Sequence, residues 1–370
     1  MRIAFVGGGT GGHFYPLIAT AEAIKLSKPT AEMIYIGPTS YDKVELEANH
    51  IRHVYCPAGK VRRYFSVRNF FDIFKTGAGL FVAMYQLFVW YPDVIFSKGG
   101  YTSVPVLLAA RFYRIPVVIH ESDSKPGRAS LLARNFARYI GIAYAEVAQY
   151  FPVDRTALVG IPIRQVIANI DADPFTKLGI PNDRPLIFVT GGSLGADRIN
   201  GLILKSLTRL LPEYNIFHQT GNELEASVIQ TAQALVTDVS LLSRYYVKGS
   251  ITASTMAALL DAASIVITRA GSTSLFEIAL HGKPAIVIPI PEEISHDQRT
   301  NAYAYARSGA ASVLEEGNLT ENLLTTEIQS IMGDTEKYKQ MSASARIFAR
   351  PEAAQLVASA LISIGVEHGS

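Results

Sequence analysis

The chain has 370 residues, 49% of them hydrophobic and 18% charged, with a formal net charge of +2, a length that holds two ordinary domains. The single cysteine, Cys56, excludes a disulfide framework and a cysteine-based metal site, and the eight histidines show no metal-ligand spacing, so no metal or cofactor is expected. The basic residues form no nucleic-acid recognition motif, so nucleic acid is not an expected partner, yet residues 1–164 hold 19 Lys and Arg against 11 Asp and Glu while the rest holds 15 against 21, so the N-terminal half is the one suited to an anionic surface.

The chain opens on "MRIAFVGGGTGGHFYP". Its start breaks into glycine after four apolar residues and does not read as a secretory signal. "IAFVG" is an apolar run of the kind buried in a parallel sheet, and residues 17–26 show apolar spacing that predicts a helix. A glycine-rich turn between strand and helix presents backbone N–H groups at the positive end of the helix dipole, which suits a phosphate. Gly7, Gly9 and Gly12 satisfy G-x-G-x-x-G, but the second strand, predicted over 32–40, ends in Gly37-Pro38 without the acid a dinucleotide ribose needs. The alternative is a structural turn that binds nothing. His13 ends the run as a titratable group near neutrality: either a general base or a residue that caps the loop.

Further strands are predicted over 94–97, 117–120 and 139–142. Between them, residues 60–93 form an aromatic-rich stretch with no charge from Thr76 to Pro92. Seventeen uncharged residues with two glycines fall short of the roughly 20 needed to span a bilayer. Two readings remain: a core helix, or an interfacial patch in which Phe70, Phe71, Phe74, Leu80 and Phe81 enter lipid beside Lys60, Arg62, Arg63, Arg68 and Lys75. The 82–90 part is expected to be core.

A second strand–glycine–helix series opens at "PLIFVTGGSLGADRIN", after a Pro- and Asp-rich linker over 159–185. Strands are predicted over 214–219, 264–268, 285–290 and 311–314. Ser193 adds a hydroxyl to the glycine turn. "ITRAGSTSLFEI" places Ser272, Thr273 and Ser274 at a helix start, fit either for capping or for a pyrophosphate, and then Glu277, fit for a ribose or for the helix dipole. His296, Asp297 and Gln298 enter another helix, where they cap it or touch a sugar. A last amphipathic helix covers 351–365. The alternation predicts an α/β protein of two Rossmann-like domains, residues 1–163 and 164–350, with the helix at about 351–366 packing back on the first; ligands in such folds lie at the carboxyl ends of strands, here in a cleft between the domains.

These segments resemble the MurG family of glycosyltransferases. The likeness runs through "GGGTGGHFYP", "SKGGYTSVP", "HESDSKPG", "VGIPIR", "GGSLGADRIN", "TRAGSTSLFEI" and "HDQRTNA", in the family's order from residue 7 to 302. The resemblance implies the two-domain GT-B fold and metal-independent, inverting transfer of N-acetylglucosamine. The donor would be UDP-N-acetylglucosamine. The acceptor would be the muramyl 4-hydroxyl of undecaprenyl-pyrophosphoryl-MurNAc-pentapeptide (lipid I), and the product lipid II for peptidoglycan synthesis. It implies a peripheral enzyme on the cytoplasmic face of the cell membrane, with a polyprenyl-diphosphate acceptor, an anionic membrane surface and possible cell-wall synthesis proteins as partners.

Residue by residue, the resemblance puts Thr10, Gly11, Gly12 and Arg164 near the donor, Ser193 on its diphosphate, Ser272, Thr273, Ser274, Leu275, Phe276 and Glu277 on diphosphate and ribose, and Gln298 on the sugar. Gly8, Gly9, Gly99, Gly100 and Tyr101 would face the acceptor diphosphate. His13 is the candidate base, with Glu121 as a second candidate or structural partner. Asp123 stands where the family has asparagine, at a donor-side contact. Residues 245–255 read as a longer turn than the family's, leaving Ile251 or Ala253 as the uracil contact, and Arg299 and Thr300 also depart from the common pattern. The alternatives are a related GT-B transferase acting on another lipid, a UDP-N-acetylglucosamine 2-epimerase, and a non-catalytic nucleotide-sugar binder.

Overall fold

The computed structural model describes residues 1–60, 67–192, 196–291 and 298–369, with the side chains of residues 67–71 outside that set. Arg62, Arg63, Ser193, His296 and Asp297 lie outside the described residues, as do the side chains of Arg68, Phe70 and Phe71. The chain divides into two units, Met1–Gln165 with Arg350–Ser370, and Val166–Ala349.

The first unit carries β1 (Arg2–Val6), β2 (Glu32–Gly37), β3 (Ile51–Tyr55), β4 (Val94–Ser97), β5 (Val117–Glu121), β6 (Tyr139–Ile142) and β7 (Thr156–Leu158). All are parallel, in the order β3-β2-β1-β4-β5-β6-β7. One face packs Ile3, Phe5, Val94 and Phe96 against Phe14, Leu17 and Ile18, and against Val357, Ala358 and Leu361 of the C-terminal helix Ala353–Gly369. The other face packs Ala4, Val6, Ile95 and Ile119 against Ala83, Leu87 and Leu107. Burial on both faces is why these strands read as continuous apolar runs.

The second unit carries β8 (Leu186–Thr190), β9 (Asn215–Gln219), β10 (Tyr245–Lys248), β11 (Ala263–Thr268), β12 (Ala285–Val287) and β13 (Ala311–Val313), in the order β10-β9-β8-β11-β12-β13. Both sheets reverse their winding beside the first strand of the unit, between β1 and β4 and between β8 and β11. In a doubly wound sheet that reversal opens a crevice at the carboxyl edge, where ligands bind.

Three strands escape the sequence pattern, β3, β7 and β10, and all three are sheet edges. β10 occupies part of the segment 245–255 that reads as a turn. Two helices also differ from expectation. The first begins at Gly11 rather than at residue 17 and runs to Ser27, so Gly11, Gly12 and His13 form its first turn instead of a loop.

The other is the helix Val67–Trp90. Asp72, Gly79, Ala83 and Leu87 line its buried side. Gly79 lies so close to Pro57, and Gly59 to Asp72, that a Cβ on either would collide with a carbonyl oxygen. The opposite side exposes Phe74, Phe81, Tyr85, Phe88 and Val89, each by more than half. The 82–90 segment expected to be core is therefore core on one side only. Leu80 is half-buried against the core rather than exposed. By length and composition two described stretches, Asp72–Trp90 and Thr335–Gly369, are apolar enough to cross a membrane. The first is longer than the uncharged run alone suggests, and it is pinned to the sheet by Ala83 and Leu87. The second is two helices, Thr335–Phe348 and Ala353–Gly369, interrupted between them.

Candidate active site

Val6 and Ser97 are register partners on β1 and β4, so the segments that follow them leave the sheet side by side at the crevice. These are the glycine run Gly7–Gly9 with Thr10, and Lys98-Gly99-Gly100-Tyr101. Gly7 has φ +134°, and a Cβ there would stand 2.8 Å from Lys98 Cβ, so only glycine lets the two segments stack. Gly9 lies beside the Tyr101 ring and Gly100 beside the His13 ring. Thr102, next in chain, is 1% exposed, and its hydroxyl has no hydrogen-bond partner among the described residues. Gly8, Gly9, Gly99, Gly100 and Tyr101 are thus gathered around the N-terminus of the helix Gly11–Ser27, whose first turn carries no acidic side chain.

His13 is half-buried in that first turn, its Nδ1 2.8 Å from Thr10 Oγ1. Burial lowers its pKa below the usual imidazole value; the Asp123 carboxylate opposes that shift and Lys98 adds to it. The imidazole is neutral at pH 7, the form that accepts a proton.

Glu121 ends β5 and is 5% exposed. The Gly127 N–H donates to its Oε2 at 2.8 Å and the Asp123 N–H to its Oε1 at 3.1 Å. Burial, with the Asp123 charge, pushes its pKa up to about 7, against these hydrogen bonds. Its oxygens are occupied by the turn that follows β5, so Glu121 shapes that turn. Beside it is a group the sequence reading missed. Lys98 is 2% exposed. Its Nζ donates to His120 Nδ1 at 2.5 Å and to Ser122 Oγ. The signal was a lone lysine between an apolar strand and a glycine pair, absorbed unread into the motif around it.

In the second unit the segments after β8, β10, β11 and β12 share the carboxyl edge of a parallel sheet. They carry Gly191-Gly192, Ile251, Arg269-Ala270-Gly271 and Ile290. The helix Ser272–Leu280 is capped by Gly271 with no side-chain cap, so none of Ser272, Thr273 or Ser274 serves as its N-cap. Ser272 is buried, while Thr273 and Ser274 are half-buried. Leu275 and Phe276 are at most 1% exposed, and Phe276 packs on Phe348, so these two can offer a ligand only their backbone. Glu277 stands in the second turn, half-buried, beyond the first-turn position that favours a carboxylate by the dipole alone. Gln298 opens the helix Gln298–Arg307 and accepts the Ile290 N–H, which ties it to the end of the segment after β12. Ile251 is half-exposed, just before Thr252, the cap of the helix Ala253–Ala262. Arg269, also unread in the sequence, is ion-paired with Glu316, to which Arg198 adds a contact at 3.1 Å.

Residues 3–142 match the glycosyltransferase family 28 N-terminal domain and residues 186–357 the family 28 C-terminal domain. A Shouchella clausii protein, named UDP-N-acetylglucosamine--N-acetylmuramyl-(pentapeptide) pyrophosphoryl-undecaprenol N-acetylglucosamine transferase, is 37% identical over 350 residues, 93% of this chain and 94% of its own. A Bacillus anthracis transferase of the same name, numbered 2, is 34% identical over 341 residues, 91% and 93% of the two chains. The crystal structure of Acinetobacter baumannii MurG superimposes with a TM-score of 0.74 at 25% identity, over 98% of this chain and 99% of that one.

The chain belongs to the MurG family.

Two of the donor-side candidates have charged surroundings in the first unit. Arg164, matched to a donor contact, lies in the first unit, with its Nη1 2.6 Å from Glu45 Oε1 and its guanidinium 4.0 Å over the Tyr15 ring. Asp123 adds a negative charge that both His13 and Glu121 feel. The two Rossmann-like units and their doubly wound sheets are those of the MurG GT-B fold.

Proposed function

We propose that this protein transfers N-acetylglucosamine from UDP-N-acetylglucosamine to the muramyl 4-hydroxyl of undecaprenyl-pyrophosphoryl-MurNAc-pentapeptide, forming lipid II. The observation that carries the reading is the first-unit crevice. A helix N-terminus without acids, two glycine segments and the unpartnered Thr102 hydroxyl suit a diphosphate, and a neutral imidazole stands beside them. Gly8, Gly9, Gly99, Gly100 and Tyr101 receive the acceptor diphosphate. His13 Nε2 takes the proton of the 4-hydroxyl while Thr10 holds Nδ1, and Gly11 and Gly12 leave room for the sugar. The hydroxyl oxygen bonds to the anomeric carbon from the face opposite the leaving group. The bond from that carbon to the β-phosphate oxygen breaks, and its electron pair leaves with UDP, so the configuration inverts.

In the second unit Ser193, Thr273 and Ser274 hold the UDP diphosphate with the dipole of the helix Ser272–Leu280. Ser272, Leu275 and Phe276 contribute backbone only, Glu277 takes the ribose hydroxyls, Ile251 the uracil and Gln298 the sugar. Helix dipole, hydroxyls and hydrogen bonds offset the leaving charge without a metal. Arg164 and Asp123 complete the donor side.

The protein works as a peripheral enzyme on the cytoplasmic face of the membrane, whose surface it meets through the exposed stripe Phe74, Phe81, Tyr85, Phe88 and Val89. Phe112 is two-thirds exposed, and its chain neighbour Arg111 lines, with Arg114, a cavity of about 470 Å³ in which Arg138 is paired with Glu367; Arg111 and Arg114 are cations suited to anionic head groups. The test is UDP release from UDP-N-acetylglucosamine with and without a soluble lipid I analogue. Analogue-dependent release with a disaccharide product supports the reading; release indifferent to the analogue sinks it.

A further inference from the structure

Lys98 has no role in the proposed transfer, yet it is 2% exposed at the crevice. The Lys98 N–H donates to the Val6 carbonyl, which continues the β1–β4 pairing. The side chain then passes under Gly7 and ends against β5. There His120 Nε2 is 2.6 Å from the Gly160 carbonyl, an oxygen that can only accept. His120 therefore carries its proton on Nε2, and its Nδ1 is free to accept from Lys98. Ser122 Oγ provides the second anchor. An ammonium with four rotatable bonds is thereby fixed in one place, below the loop that leads to His13.

The charged groups that face His13 come from two segments. Lys98, after β4, lowers its proton affinity; Asp123, after β5, raises it. Thr10, on its own element, contributes a hydroxyl, and the Tyr101 ring lies near Gly9. Glu121 and Asp123 in turn favour the ammonium form of Lys98, against the burial that brings it down to about 7.

We infer that Lys98 is a positioning residue for the reaction: clamped by His120 and Ser122 beneath Gly7, it seats the first glycine loop and balances Asp123 in the field that His13 faces, without touching substrate. This rests on His13 being the base, but its electrostatic part can be read without turnover. In Lys98→Met the repulsion is removed and Asp123 is unopposed, so the His13 midpoint moves to higher pH. With the full chain labelled with 13C at histidine Cε1, and His13 assigned by its loss in His13→Gln, the titration of wild type and Lys98→Met is compared. The acid limb of kcat/KM must move in the same direction, so that Lys98→Met loses most activity at low pH and recovers part of it as pH rises. A merely structural role lowers activity equally at every pH and leaves the midpoint in place; that result, with the thermal unfolding profile intact, overturns the inference. If Lys98→Met does not fold, Ser122→Ala keeps the ammonium but frees one anchor, and a smaller shift of the same sign is expected; no shift overturns the inference. A moved midpoint in a protein that makes no lipid II supports the electrostatic role of Lys98 while the transfer reading falls.

Discussion

Arg164 and Glu45 form an ion pair at 2.6 Å, with 11% and 25% of their side chains exposed. The guanidinium is also stacked on Tyr15. A residue matched to the donor thus has a local task inside the first unit. Arg164→Met leaves the Glu45 carboxylate largely enclosed without its cation, and we expect a loss of about 1–3 kcal/mol, read by urea unfolding. If Arg164 also reaches the donor, the same variant raises KM for UDP-N-acetylglucosamine while Glu45→Gln does not. An unchanged KM in both would leave Arg164 a structural residue.

His13 supplies the pH test of the mechanism. Its folded pKa lies below the ordinary imidazole value, so the proton-accepting form prevails at neutral pH and is lost on acidification. kcat/KM should fall as pH drops through a pKa below 6.5. His13→Ala should lower kcat by about 10²–10⁴-fold and flatten that limb, with UDP binding retained. Near-normal turnover in this variant would remove His13 as the base.

The proposed membrane attachment can be tested apart from the chemistry. Each aromatic ring of the stripe that enters lipid contributes about 1.5–3 kcal/mol when fully buried. Phe81→Ser with Phe88→Ser should therefore weaken sedimentation with anionic vesicles by at least about tenfold. Turnover of a water-soluble analogue should not change. Arg111→Glu with Arg114→Glu should weaken binding to anionic vesicles and leave binding to neutral ones alone. Equal binding by all three proteins would mean that another surface meets the lipid.

Glu277 sits one turn past the helix start, where the dipole alone gives little reason for a carboxylate. If it holds the ribose hydroxyls, Glu277→Ala should weaken UDP by about 10–100-fold, the scale of charged hydrogen bonds. Isothermal titration with UDP reads this directly, and Glu277→Asp should recover only part of the loss because the carboxylate is withdrawn by one methylene.

The central strands were legible because both their faces are covered, and their sequences say so: "IAFV", "VIFS" and "IFVT" are apolar without interruption. β3, with Arg52 and His53 in "IRHVY", and β10, "YYVK", sit at sheet edges, and half-solvated strands carry no such run. The glycine loops were legible because close backbone approach excludes side chains, as Gly7 over Lys98 demonstrates. Helix phase was less so. The sequence shows that residues 76–92 carry no charge, but only packing decides that Ala83 and Leu87 face inward and Tyr85 and Phe88 outward. Lys98 escaped because a buried charge just past a strand is explained by partners distant in sequence, here His120 and Ser122.

The helix Val67–Trp90 touches the segment before it through backbone, at Gly59 against Asp72 and Gly79 against Pro57. Ala83 and Leu87 hold the helix to the sheet, and its fit to the preceding segment depends on two hydrogen atoms, those that a methyl group would replace. A single Gly→Ala change at either point would lift one end of the helix while the sheets, the glycine loops and His13 keep their places. If the exposed stripe meets lipid and the crevice carries the transfer, the two can be inherited, lost or redesigned independently, and an enzyme still competent on a dissolved acceptor would be idle in a cell.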